Sequence, residues 1–304
     1  MIAEAPMISI IMNCYNCDRF LEDAIDSVYA QTFTDWEIIF WDNASLDKSS
    51  QIAKKYDSKL KYFCAKKTTP LGEARNIALQ KANGKYICFL DCDDLYLKNK
   101  LEKQFSLMEK SQYAMSYGST IVIDEYDDKI RNERAKYNSG YILEKLLYRY
   151  DVNMLSVMIR RSILIDNDLS FLPHLQYCPD YNLFMEIASR YPIGVLPDYI
   201  VKYRVLSNSL SRKTLHLVST ENKYTLDHIL ERDKKISIQY PEAVKAAYSK
   251  LHYYNAINFI SKDMLNEAKN EIKTVLTQRW EYIILYILLH LHLPKKYLLR
   301  LLKR

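Results

Sequence analysis

An α/β fold followed by a wholly helical C-terminal region is the architecture that this sequence predicts, on three observations. Short apolar runs alternate with amphipathic stretches of about ten residues through the first hundred residues, the signature of βαβ units and a parallel sheet with helices on both faces. The apolar runs end in polar residues of similar kind, as strands do when they open onto one crevice. From about Val218 onward the pattern is helical only.

The elements follow in order. MISIIM (7–12) is a buried strand that ends at Asn13, and Phe20–Ala30 is a helix carrying Leu21, Ala24, Ile25 and Val28 on one face. WEIIFWD (36–42) is a second strand, with a turn at Asn43–Ser45 and a helix through Ile52 to about Tyr56. KYFCA (61–65) is a third strand. Leu71–Lys81 is a helix stopped by Asn83-Gly84, and KYICFLD (85–91) is a fourth strand. A helix over 97–110 precedes a strand over 113–123, and Asp124–Asp128 reads as a solvated loop. LEKLLYRY (143–150) is helical, LSVMIRR (155–161) is a strand entering a helix, Asp180–Arg190 is helical and Ile193–Tyr203 is extended. Residues 253–276 read as a helical hairpin, loosely like one tetratricopeptide unit, and one copy makes no array. The expected division is a first domain over 1–215 and a helical region over 216–304.

Composition narrows the function classes. With 304 residues, 49% of them apolar, the chain can bury a sizeable core. Only five glycines occur, and neither GxGxxG nor GxxxxGK[ST] is present, so dinucleotide and P-loop readings lack support. The net charge of +6 is concentrated: Arg279–Arg304 holds six Lys/Arg against one Glu. A basic tail is indicated, and a nucleic-acid surface is not. The six histidines form no HxxxH pair. Cys14 and Cys17 form a CxxC, but no second CxxC or nearby histidine pair completes a metal site. The N-terminus has neither a basic start nor a long apolar run, so no signal peptide is expected, and the thiols are expected to be reduced, as small buried or loop residues.

The stretch FLDCDDLY (89–96) carries the chemistry. Asp91, Asp93 and Asp94 crowd the end of an apolar strand. Carboxylates this close ionise together only if a cation or hydrogen-bond donors offset them. Oxygen donors suit Mg²⁺ or Mn²⁺, which protein carboxylates commonly share with substrate phosphates. The polar ends Asn13-Cys14-Tyr15-Asn16, Asp42-Asn43 and Asp91–Asp94 would then face one crevice, which reads as a nucleotide-diphosphate site. The plainer reading is that Asp93 and Asp94 cap the following segment.

Four segments resemble family 2 glycosyltransferases, in order and over roughly residues 7–212. ISIIMNCYN resembles the opening strand and its PxYN turn. QTFTDWEIIFWDNASLD resembles the segment that ends in DDGSTD. LGEARNIALQKANGKYICFLDCDD resembles the ARN helix leading into FLDxDD, and CPDYNLFMEIA the EDYDLWLR-type helix. The resemblance implies a GT-A fold, a Rossmann-like mixed sheet, and a metal-dependent, inverting transfer from a UDP-sugar to a glycan or glycolipid hydroxyl in cell-surface polysaccharide synthesis. It implies that Tyr15 stacks on uracil, Asp42 accepts from the uracil edge, Asp91 lies near the ribose and diphosphate, and Asp93 binds Mn²⁺ or Mg²⁺. Arg75 would face the diphosphate or brace the aspartates. Asp180 matches the base that deprotonates the acceptor hydroxyl. YRVLSNSLSR (203–212) resembles a YR-x-H-x-x-S segment, so Tyr203, Arg204 and Arg212 would close over the diphosphate. The chain departs from the pattern at Asn13 for Pro, Asn43 for Asp, Ala44 for Gly, Pro179 for Glu and Leu206 for His. Two other readings of the aspartates remain, a haloacid-dehalogenase-like phosphatase with Asp91 as nucleophile and a non-catalytic sugar-nucleotide-binding scaffold.

The C-terminal WEYIILYILLHLHLPKKYLLRLLKR (280–304) has an apolar run of only about twelve residues against the roughly twenty a membrane span requires. Apolar bulk beside clustered Lys/Arg reads as an interfacial anchor on an anionic membrane surface, or as a last helix packed on 220–275. The expected location is the cytoplasm, peripheral on the cytoplasmic face of the inner membrane.

Overall fold

The computed structural model describes residues 5–206 and 214–291. The chain divides into two compact units, Met1–Leu143 with Tyr150–Ser207, and Glu144–Arg149 with Asn208–Arg304. The first unit is built on one nine-stranded mixed sheet. Its leading part follows the pattern expected from sequence: β1 (Ile8–Cys14), α1 (Asp18–Tyr29), β2 (Trp36–Asp42), α2 (Ser49–Ala53), β3 (Leu60–Cys64), α3 (Leu71–Leu79) and β4 (Tyr86–Phe89). Then come β5 (Leu95–Tyr96), α4 (Lys100–Glu109), β6 (Met115–Ile123), β7 (Lys129–Glu133), β8 (Met158–Arg160), α6 (Arg161–Asp166), α7 (Pro179–Ala188) and β9 (Ile193–Arg204), while α5 (Leu143–Tyr148), between β7 and β8 in the chain, belongs almost wholly to the second unit. The strand order is β3-β2-β1-β4-β8-β6-β9-β5, with β7 beside β6.

Strands β1, β2, β3 and β4 are parallel, with Ile8 opposite both Trp36 and Tyr86. The chain moves outward from β1 to β3, then returns through α3 to the other side of β1. Strand order therefore reverses between β1 and β4, the position at which open α/β sheets leave a crevice beyond the strand ends. All seven residues of β2 are buried, and Leu21, Ala24, Ile25 and Val28 of α1 pack into the same core as Ile8, Ile10 and Phe40. Two strands are not read from the sequence. β5 is two residues long, and β7 is fully exposed, so neither has a burial pattern. β5 matters for the site: it pairs Leu95 with Lys202 and Tyr96 with Val201, bringing the end of β9 beside the aspartate loop.

A buried polar network ties the opposite end of the sheet. Ser9 Oγ donates to Glu37 Oε1 at 2.6 Å and accepts from Gly84 N at 2.8 Å, while Asn83 N donates to the same Glu37 oxygen at 3.0 Å. Gly84 is required there, because a Cβ would lie 2.5 Å from Ser9 N.

The second unit is helical: α8 (Val218–Arg232), α9 (Lys235–Gln239), α10 (Pro241–Ser261), α11 (Leu265–Lys273) and α12 (Trp280–His290). Its core joins Ala256, Ile260, Ala268, Ile272, Leu285 and Leu289. The expected hairpin is present. Asp263 takes a left-handed φ of 60°, and Met264 N closes back onto Phe259 O at 2.9 Å, which ends α10 and starts α11. No helix among the described residues is long and apolar enough to cross a membrane.

Gly84→Ala is expected to destabilise the first unit by about 1–3 kcal/mol, the usual cost of overpacking. A thermal melt that matches the wild type would contradict the close approach to Ser9.

Candidate active site

The ends of β1, β2 and β4 meet beyond the sheet, and each contributes a turn. Tyr15 follows β1 and is 51% exposed, so its ring face is available for stacking. Asn16 has φ 53° and holds the turns together: its Oδ1 accepts from Leu46 N at 2.8 Å and its N donates to Ser45 Oγ at 3.0 Å. Asp42 is buried at the end of β2. One carboxylate oxygen accepts from Tyr62 OH at 2.6 Å and the other from Ser45 N at 2.8 Å. Each oxygen already has one donor, so any base contact uses a remaining lone pair. Asn43 Nδ2 donates to Thr69 O at 2.9 Å and Asn43 Oδ1 accepts from Thr69 N at 3.1 Å, which clips the loop before α3 to β2. Ala44 adopts φ 64°, a conformation that suits glycine.

The ARN triplet of α3 explains itself in the packing. Ala74 is buried. Arg75 is buried over the Phe171 ring at 5.4 Å and its Nη2 reaches Asp91 Oδ1 at 3.2 Å. Asn76 makes a two-way clasp, donating to Phe171 O at 2.7 Å and accepting from Phe171 N at 2.9 Å. Helix α3 therefore fixes Arg75 from both sides, through Phe171 beneath it and Asp91 ahead of it. Gly72 permits this, since a Cβ there would meet Leu172 O at 3.2 Å.

The three aspartates have different fates. Asp91 is partly exposed and paired with Arg75. Asp94 is buried, and its Oδ1 accepts from Arg204 N at 2.7 Å. Asp93 is pushed up to about 7 by burial, by the neighbouring Asp91 and by Cys17. Arg204 is placed differently from the expectation that it closes over a diphosphate. It is buried, stacks on Phe20 at 4.4 Å, and spends its guanidinium on Asp93 O (2.8 Å), Asp124 O (3.1 Å) and Asp127 (2.8 Å). It braces the loop from behind. Arg212 lies outside the described residues.

Asp180 stands in the first turn of α7. Burial raises its carboxyl above the ordinary range, Arg75 opposes that rise and Asp91 adds to it, so Asp180 shares one electrostatic neighbourhood with both. Tyr150, half-buried with its hydroxyl enclosed and edge-on to Tyr181 at 4.8 Å, is raised by burial and by Asp180. The structure thus gathers Arg75, Asp91 and Asp180, with Asp93 on the same loop. Tyr62, Asn76, Phe171 and Phe20 were not singled out from sequence, because nothing local marks a phenol, an amide or a ring as a support for a distant charge.

The oxygen donors of this loop suit a hard divalent cation. A half-buried carboxyl that holds its proton to about 7 because of desolvation and a like charge is one that a cation would ionise, so Asp93 fits the role.

The CxxC is not an isolated pair. Cys92, 75 residues beyond Cys17, brings a third sulfur, and Cys14, Cys17 and Cys92 hold their sulfur atoms within 4.8 Å of one another. Hydrogen bonds from the Cys17 and then the Cys92 thiols hold Cys14 down to about 4.

The glycosyl transferase family 2 model matches residues 9–170. The chain belongs to glycosyl transferase family 2. It is 31% identical over 211 residues to the Escherichia coli UDP-Glc:alpha-D-GlcNAc-diphosphoundecaprenol beta-1,3-glucosyltransferase WfgD, covering 67% of this chain and 79% of that protein. Its fold is that of S. aureus TarS 1–349 in complex with UDP (TM-score 0.60, 21% identity, 87% of this chain and 90% of that one). It also resembles the mannosyltransferase PcManGT from Pyrobaculum calidifontis in complex with GDP-Man and Mn²⁺ (TM-score 0.63, 16% identity, 97% and 83%). The chain spans about a third of the length of the first three curated relatives it matches, all named uncharacterized glycosyltransferases. Membership of this family leaves the phosphatase reading of Asp91 without support.

Two outcomes test this geometry. Ala44→Gly should stabilise the protein by up to about 1 kcal/mol, since the left-handed region costs an alanine roughly 1–2 kcal/mol; an unchanged or lower Tm would contradict strain at this turn. The second concerns protons. The folded Asp93 binds its proton up to about 7, whereas an unstructured Asp releases it near 3.8. Its contribution to stability is therefore present below 3.8 and lost as pH rises through about 7. Asp93→Asn removes that dependence, so its Tm advantage over the metal-free wild type should grow across this interval. A constant Tm difference would contradict the raised value.

Proposed function

We propose that this chain transfers a sugar from a UDP-sugar to a hydroxyl of a glycan or lipid-linked acceptor, with inversion at the anomeric carbon and Asp180 as general base. The observation that carries the reading is the convergence of Asp180 and Asp91 on Arg75 in a family 2 frame. A base must be ionised yet hold a proton near the working pH, and a carboxyl raised by burial and Asp91 while restrained by Arg75 is suited to that. In this reading Asp180 takes the acceptor proton as the acceptor oxygen attacks the anomeric carbon. Tyr15 offers a stacking face to the uracil, and Asp42, fixed by Tyr62 and Ser45, accepts from its edge. Arg75 holds Asp91 and counters diphosphate charge. Asp93 would hold Mn²⁺ or Mg²⁺, which when bound offsets charge on the departing diphosphate. Arg204 keeps that loop in place. The UDP assignment draws on the nucleotide bound by TarS and the donor named for WfgD, and the lipid-linked acceptor on WfgD.

A lipid-linked acceptor calls for work at a membrane surface. Trp280, Ile283, Ile284 and Ile287 of α12 and Leu291, which caps it, are exposed at helical spacing, while Tyr282, Leu285 and Leu289 face the core of the helical unit. Lys295, Lys296, Arg300, Lys303 and Arg304 follow in sequence, outside the described residues. An apolar stripe followed by bases matches an anionic lipid surface, so we assign this face to peripheral contact with the cytoplasmic side of the inner membrane.

Asp180→Asn is nearly isosteric and should retain UDP binding while transfer falls by roughly a hundredfold or more, the scale of general-base catalysis. Calorimetric UDP binding beside a transfer assay decides: parallel loss of both, or an unchanged rate, would remove Asp180 from the role. Ile287→Glu should weaken binding to phosphatidylglycerol vesicles in flotation and leave binding to neutral vesicles low. Equal flotation of variant and wild type would refute the membrane face.

A further inference from the structure

The strand register places three thiols at the topological switch point. β1 and β4 are parallel neighbours with Ile11 opposite Phe89, and Leu90 N donates to Ile11 O at 3.0 Å. Cys14 ends β1, Cys17 precedes the first turn of α1, and Cys92 lies two residues past Leu90. Their sulfur atoms lie within 4.8 Å of one another, and no histidine nitrogen or carboxylate oxygen of a described residue joins the cluster. Thiolates around one metal at about 2.3 Å stand about 4 Å apart, so small side-chain shifts would close the gap. The other contacts of the sulfurs are weak: Cys92 Sγ donates to Asn13 O at 3.4 Å, Cys17 Sγ to Tyr15 O at 3.4 Å, and Cys14 Sγ lies 3.9 Å from Ser45 Oγ. Cys14 and Cys92 are buried and Cys17 is half-buried, which leaves an approach on the Cys17 side.

We propose that Cys14, Cys17 and Cys92 form a binding site for one thiophilic divalent metal ion of the Zn²⁺ class, distinct from the oxygen-ligand site at Asp93. Three soft donors without a hard one select such an ion over Mg²⁺ or Mn²⁺. On binding, three metal–sulfur bonds form, the thiol protons still present pass to solvent, and the fourth position is left to water. The site crosses three segments, the end of β1, the start of α1 and the loop after β4. Because Cys92 stands between Asp91 and Asp93, loading it would fix the loop that carries both. This inference does not depend on the proposed transfer reaction, because it is read by binding alone.

Cd²⁺ serves as the probe, added to freshly reduced full-length protein without oxygen and in excess Mg²⁺. One equivalent is expected to produce a sulfur-to-metal charge-transfer band of three-thiolate intensity. Cys17→Ser should weaken binding at least tenfold, a loss that even an outer partner of a metal site commonly causes. Cys64→Ser, an exposed thiol outside the cluster, should bind as the wild type does. Circular dichroism of Cys17→Ser separates lost ligation from lost fold, and Cys92→Ala provides a second variant if the first does not fold. No stoichiometric band, an unchanged affinity in both cluster variants, or loss on Cys64→Ser would overturn the site.

Discussion

Three carboxylates within four residues, at the mouth of a buried strand, set the electrostatic constraint to which the surrounding structure answers. Each is dealt with differently. Arg75 pairs with Asp91, the backbone N–H of Arg204 satisfies Asp94, and the Arg204 side chain holds the Asp93 carbonyl. The Asp93 carboxyl retains its proton to about 7, because burial and Asp91 outweigh the help Arg204 gives. Two arginines absorb the structural part of the charge and leave one carboxyl for the cation proposed above. The same logic extends to Asp180, which Arg75 restrains while burial and Asp91 raise it. One guanidinium thus tunes both the nucleotide side and the acceptor side of the proposed reaction.

Holding Arg75 in place requires a scaffold of its own. The guanidinium sits over Phe171, and Phe171 is clasped through its backbone by Asn76, the next residue of the same helix. A substitution at Asn76 would release Phe171 and, through it, Arg75. Arg204 has the matching arrangement on the other side, with Phe20 of α1 beneath it and the turn at Asp124–Asp127 beyond it. The short strand β5 is what carries Arg204 there. Two residues of pairing with β9 are enough to set the register of the loop between them.

The parts of this arrangement that sequence discloses are those with a local signature. Buried runs such as WEIIFWD marked the strands of the leading sheet, and their polar ends marked the crevice that holds Tyr15, Asp42 and Asp91. The hairpin of α10 and α11 was legible from its apolar spacing. What stayed hidden depends on contacts between distant residues. β7 is exposed along its whole length and owes its form to pairing with β6. The bracing role of Arg204 rests on a residue 110 positions away, and its resemblance to a diphosphate-facing arginine pointed elsewhere. The CxxC looked incomplete because its third member follows Asp91 in a different βα unit.

That third member shows how the topology assembles chemistry. A reversal of strand order between β1 and β4 brings together the ends of two parallel strands that are 75 positions apart in sequence, with Ile11 opposite Phe89 and Cys14 and Cys92 beyond them. The side chains there alternate in kind: Asp91 and Asp93 are hard oxygen donors, and Cys92 between them is a soft sulfur. Cys92 and Asp93 lie in a turn that the Asp94 N–H closes on the Asp91 carbonyl at 3.2 Å, so one short loop carries both kinds of donor. The two sites then share a backbone without sharing a ligand, and what fixes one must limit the freedom of the other.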